Sequence, residues 1–146
     1  MGKDRQPVRG ATPPTGKQPR IEAEPQYEGT RPLWSFEQMD AAGPWCIEAA
    51  DGGYFQKALK RLATLETMTW HEILSDQKRN HLVPPGRLCS QAQSRLRHIQ
   101  LDDLENLVSL TIEGKPRIWG IRDRGVFRVL WWDPEHSVCP SHKKHT

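Results

Sequence analysis

The sequence has no uninterrupted apolar run of the roughly 18 residues that a membrane-spanning helix needs, and its first residues lack the apolar stretch of a secretory leader. These two absences predict a cytoplasmic protein without a membrane partner. Its three cysteines, Cys46, Cys89 and Cys139, are widely spaced and form no Cys-x-x-Cys pair. That excludes a disulfide framework and a zinc ribbon. An excess of one charge is also missing: Lys and Arg number 21 and Asp and Glu 18, for a net of +3. So mild a balance names no partner by itself.

The first 32 residues are short of core-forming side chains. They hold Pro7, Pro13, Pro14, Pro19, Pro25 and Pro32, half of the 12 prolines, but few large apolar residues beyond Met1, Val8, Ile21 and Tyr27. Such a segment does not bury enough apolar surface to offset its ordering entropy. Residues 1–32 are therefore expected to be a disordered, Pro-rich charged tail, and residues 33–146 a single domain. The latter length suits one hydrophobic core, and it carries all 6 tryptophans.

Charge is unevenly spread over that domain. Leu33 to Glu113 holds 8 Lys/Arg against 11 Asp/Glu, a net of −3, whereas Gly114 to Thr146 holds 7 against 3, a net of +4. The C-terminal quarter is a cationic segment that would attract phosphate or an acidic protein partner, although a solvated surface gives the same count. It also contains three of the 6 histidines: His136, His142 and His145.

Periodicity predicts the elements. Leu33-Trp-Ser-Phe-Glu-Gln38 alternates like a strand, and Ala42-Gly-Pro44 breaks it. Phe55, Ala58, Leu59, Leu62 and Leu65 recur at helical spacing, which predicts an amphipathic helix over 53–66. Thr69-Trp-His-Glu72 has the form of a capping box, with Met68 and Ile73 as a hydrophobic staple, so a short helix should begin at Trp70. His81-Leu-Val-Pro-Pro-Gly86 reads as a loop, and Ser90-Gln-Ala-Gln93 as a second capping box leading into a helix with Ala92, Leu96 and Ile99 on one side. The period then becomes two. Residues 107–112, 117–122 and 126–132 read as a three-strand meander, with Gly125 in the last turn and Asp133-Pro-Glu-His136 ending the last strand. The expected fold is α+β: a mostly antiparallel sheet of the N-terminal strand plus the meander, with two to three helices packed on one face.

The order strand, helices, meander, together with Arg117-Ile-Trp-Gly-Ile-Arg122 and Phe127-Arg-Val-Leu-Trp-Trp132, resembles the RelE/ParE toxin superfamily, small ribosome-dependent ribonucleases and their relatives in toxin–antitoxin modules. In that superfamily an Arg-hydrophobic-Arg motif, a hydrophobic strand and an Asp or His lie in the same meander. Over most of residues 33–146, Thr69-Trp-His-Glu-Ile73, Arg117-Ile-Trp-Gly-Ile-Arg122 and Leu130-Trp-Trp-Asp-Pro-Glu-His-Ser-Val-Cys-Pro-Ser141 are also similar to an uncharacterised group of bacterial and mobile-element proteins. The toxin resemblance implies a cytoplasmic endoribonuclease that cuts mRNA by attack of the ribose 2′-hydroxyl, with RNA or the ribosome and an antitoxin protein as partners and no cofactor. It implies Arg117 or Arg122 at the phosphate, His136 as acid or base, and His145 or Lys143 approaching from the terminus. Lys115, Arg124, Arg128, Trp132, Lys143 and Lys144 would complete a nucleic-acid surface. The alternative is a non-catalytic RNA- or protein-binding accessory protein of a mobile element.

Strand alternation divides these candidates. Arg117 should share a face with Trp119 and Ile121, and Arg122 with Ile118 and Gly120, unless the strand slips at Gly120, where a bulge or a close backbone approach is expected. Trp131 and Trp132 should likewise point to opposite faces, one into the core and the other free to stack on a base. His136, Cys139, His142 and His145 recur every third residue and offer zinc ligands, but without a second scaffold element and with Pro140 intervening. A frayed basic terminus is the competing reading. His71 and His81 read as surface or capping residues.

Overall fold

Asp51 starts the first helix by accepting the N–H of Tyr54 at 2.8 Å. The computed structural model describes residues 27–140. Helix α1 is Gly52–Leu65 and buries Tyr54, Ala58, Leu62 and Leu65; Phe55 is half-buried and Leu59 stays exposed. The stripe expected from sequence is thus rotated slightly toward Tyr54. Helix α2, Trp70–Ser75, begins with the expected capping box: the N–H of Glu72 donates to Thr69 Oγ1 at 3.2 Å, and the N–H of Thr69 to Glu72 Oε1 at 2.9 Å. Helix α3, Ser90–His98, starts differently. Its N-cap is Cys89, which makes no side-chain cap, and Gln93 Nε2 instead donates to the carbonyls of Leu88 and Gly86 at 2.8 and 3.3 Å. The second capping box is therefore not formed.

The strands are β1 (Leu33–Ser35), β2 (Asn80–Val83), β3 (Leu107–Thr111), β4 (Arg117–Asp123) and β5 (Val126–Asp133), in one sheet of order β1-β5-β4-β3-β2. Among the described residues only β1 pairs in parallel, with β5. The α+β class, the N-terminal strand and the three-strand meander are as the sequence indicates. Strand β2 is an addition. Four residues are too few to display a period of two, and the following prolines, which cannot extend a ladder, made the segment look like a loop.

The helices do not share one face. Helices α1 and α2 pack on Val108, Leu110, Ile118, Phe127, Val129 and Trp132, whereas Ala92 and Leu96 of α3, joined by Trp45 and Val138, pack on Leu107, Trp119, Leu130 and Trp131 across the sheet. The physical reason lies in the strands: β5 is apolar at successive positions, so both of its faces need cover. The expectation of helices on one face is corrected accordingly.

A bulge in β5 allows this. Trp119 pairs with Trp131 but Gly120 with Val129, so Leu130 is the extra residue and turns to the α3 face beside Trp131. Opposite it, a Cβ on Gly120 would lie 2.5 Å from both the Arg128 carbonyl oxygen and the Phe127 ring. The mid-strand glycine marks the bulge and the close approach together, while β4 itself keeps its alternation.

The last residues of the segment read as a tail are tied to the domain. The N–H groups of Trp70 and His71, unpaired within α2, donate to the carbonyls of Thr30 and Glu28 at 2.9 and 2.8 Å. Residues 27–32 are thus part of the folded unit, and residues 1–26 of the expected tail lie outside the described residues.

Candidate functional site

Helix α3 covers only part of its sheet face, and the uncovered part over β2, β3 and β4 is a cleft of about 390 Å³. Its floor includes Ser109 and Trp119, both buried and paired with each other in register, and Ser109 pairs in turn with His81 on the edge strand. Lys78, Arg87, Arg117, His136 and Cys139 complete the polar wall, and Leu82 and Val83 form an apolar one.

Arg117 enters from the start of β4 on the same face as Trp119. Its Nη1 donates to the carbonyls of Gly114, Lys115 and Pro116 at 2.6, 2.8 and 3.1 Å, which locks the guanidinium against the β3–β4 turn. Among the described residues its Nε and Nη2 have no hydrogen-bond partner, so that side of the fork remains available for an anion. Burial lowers the Arg117 pKa, with Asp133 acting against it.

His136 is brought over the sheet by the turn that ends β5. Asp133 is fully buried: its Oδ1 accepts the N–H and hydroxyl of Ser137 at 2.8 and 3.3 Å, and its Oδ2 accepts the Val138 N–H at 3.1 Å and the Trp119 indole N–H at 3.0 Å. These bonds curl 134–138 back, and His136 takes a left-handed backbone with φ of 57°. Burial pushes the His136 pKa below its ordinary 6.5; the cations Arg117, Lys115 and His81 push the same way and Asp133 opposes them. The imidazole is thereby held neutral at pH 7, the form in which it accepts a proton.

The other proposed contacts are scattered. Arg122 is on the opposite face, its guanidinium 5.1 Å from the Trp70 ring centroid and 3.6 Å from Glu28, so it cannot join Arg117 at one phosphate. Trp132 is buried against Tyr54 and Phe55 and donates to Met39 Sδ, and Trp131 is buried on the other face. Neither stacks on a base, because a sheet covered on both sides has a core on both sides. Arg124 and Arg128 both bond Asp123 at the far end of β4, about 20 Å from Arg117 at 3.3 Å per residue. Lys115 is exposed and pairs with Glu135 at 3.0 Å. His142, Lys143, Lys144 and His145 lie outside the described residues, and among the described ones no group of three or more His, Cys, Asp or Glu is placed to hold a metal.

Sequence reasoning passed over Lys78, His81 and Arg87. They sit in or beside a segment read as a loop, and only the pairing of β2 with β3 brings them to the cleft. Asn80-His-Leu-Val83 places its two polar residues before its two apolar ones, so no local alternation marked it as a strand.

No protein-family model, curated protein sequence or solved structure matches the chain. Among the described residues, no helix is long and apolar enough to cross a membrane.

Proposed function

We propose that the chain is a toxin-like endoribonuclease that works in the cleft over β2, β3 and β4. The observation that carries this reading is the convergence of His136, with its lowered pKa, and Arg117, with one side of its fork open, in a cleft that also holds Lys78 and Arg87. A phosphodiester needs such a set. Arg117 would hold the non-bridging oxygens as negative charge grows on them, His136 would take the 2′-hydroxyl proton, and Lys78 with Arg87 would bind flanking phosphates.

An antitoxin partner and action on the ribosome belong to the same proposal and rest on the RelE/ParE-like order of elements. The test is incubation of the purified chain with a single-stranded RNA oligonucleotide. Fragments ending in a 2′,3′-cyclic phosphate are expected, and these should disappear in His136→Ala and in Arg117→Ala. Salt-dependent RNA binding without any cleavage would overturn the catalytic reading and select the non-catalytic binding protein instead. Full cleavage by both variants would overturn the site.

A further inference from the structure

The proposed reaction needs a second proton. When the 2′ oxygen attacks phosphorus the bond to the 5′ oxygen breaks, and that oxygen leaves as an alkoxide unless a donor meets it. Attacking and leaving oxygens lie in line on opposite sides of phosphorus, so base and acid must come from different walls of the cleft.

The structure supplies two such walls. Strands β5 and β2 are three strand spacings apart, about 14 Å at 4.8 Å each, and the segment after β5 curls across that gap. It is held there by the three hydrogen bonds that Ser137 and Val138 give to Asp133 and by the Cys89 N–H, which donates to the Val138 carbonyl at 2.9 Å. His136 on this segment and His81 on the edge strand therefore line one cleft from opposite sides, near enough for the charge of His81 to act on His136. Lys78 and Arg87 are matched to phosphate charge rather than to proton donation, since ordinary lysine and arginine lose their protons only above about pH 10. Cys139 is also a poor donor, because burial raises its thiol pKa further from neutrality. Imidazolium has the right acidity near neutral pH, and His81 is exposed, so solvent can recharge it.

We infer that His81 is the catalytic acid of this site, giving its proton to the 5′ leaving oxygen while His136 receives the proton of the 2′-hydroxyl. The assignment rests on the ribonuclease reading above. Atoms balance without a co-reactant: the O2′–P bond forms, the P–O5′ bond breaks, and the products are a 2′,3′-cyclic phosphate and a 5′-hydroxyl. Each histidine ends in the protonation state the other began with, and exchange with water resets them.

A leaving group that needs no acid tests the assignment. In an oligoribonucleotide whose scissile 5′ oxygen is replaced by sulfur, the thiolate departs unprotonated. His81→Ala should slow cleavage of the ordinary oligonucleotide by about 10²–10⁴-fold and recover most of that loss on the sulfur substrate. His136→Ala should stay slow on both. An equal loss on the two substrates, or no loss on either, would overturn the role of His81. Absence of cleavage of either substrate by the unsubstituted chain would overturn the ribonuclease reading and the assignment with it, and this appears before any substitution is made. His81 is exposed on an edge strand, so unchanged thermal unfolding of His81→Ala should accompany the kinetic effect.

Discussion

The carboxylate of Asp133 accepts the indole N–H of Trp119 from the neighbouring strand at 3.0 Å, joining the last residue of β5 to the floor of the cleft. The same carboxylate holds Ser137 and Val138, so it governs the segment that carries His136. Asp133→Ala should leave the indole and the Val138 N–H buried without partners, at about 1–3 kcal/mol for each. Denaturant unfolding should show that loss. Histidine NMR should show His136 moving toward the spectrum of a free side chain; an unshifted His136 would detach the turn from the carboxylate.

The two arginines of Arg117-Ile-Trp-Gly-Ile-Arg122 should separate in experiment. Arg122→Ala removes a cation over the Trp70 ring and should cost about 0.5–2 kcal/mol of stability, with RNA binding unchanged. Arg117→Ala should weaken RNA binding and flatten its dependence on salt. Equal effects of the two on binding, measured by fluorescence anisotropy, would contradict their placement on opposite faces.

How much of this was legible in the sequence depends on range. The capping box at Thr69 and Glu72, the helix over α1 and the meander are local signals, and the chain obeys them. So does alternation, which separated Arg117 from Arg122 and pointed to an irregularity at Gly120. What failed to show were relations between distant segments. Trp131 and Trp132 looked as if one would be free because nothing local says that α3 covers the second face. His81 looked idle because its strand exists only through its pairing with β3. The candidate site was half-readable for the same reason: Arg117 and His136 belong to the meander and its end, while the opposing wall is assembled by tertiary pairing.

His136 should titrate abnormally. Its folded pKa lies below the ordinary 6.5, so the unfolded chain binds the proton more readily. Stability contributed by neutral His136 is therefore present above pH 6.5 and is lost as pH falls below it toward the folded pKa. NMR titration should give a His136 midpoint under 6.5, and Arg117→Ala should move it upward by removing a neighbouring cation. An ordinary midpoint in the unsubstituted chain would undo the assignment of a neutral proton acceptor.

Gly120 should not tolerate a side chain. In Gly120→Ala the new methyl meets the Arg128 carbonyl oxygen at 2.5 Å, a backbone atom in a paired strand that cannot swing aside. The expected cost is about 1–3 kcal/mol or more from forced displacement, readable as a lowered unfolding midpoint. Stability equal to that of the unsubstituted chain would mean that the β5 bulge is absent.

The parallel pairing of Leu33–Ser35 with Val126–Arg128 sets the order in which the protein can be built. Among the described residues, the first strand of the sheet has no neighbour until the rest of the sheet has left the ribosome, because its one partner there is the last of these five strands to be made. The meander and its adjoining helices join through near-sequence contacts and should form first, whereas β1 closes the longest loop in the fold and should dock late. During synthesis the exposed Trp34 and Phe36 are therefore a transient apolar surface, the place where a chaperone would find this chain before it is finished.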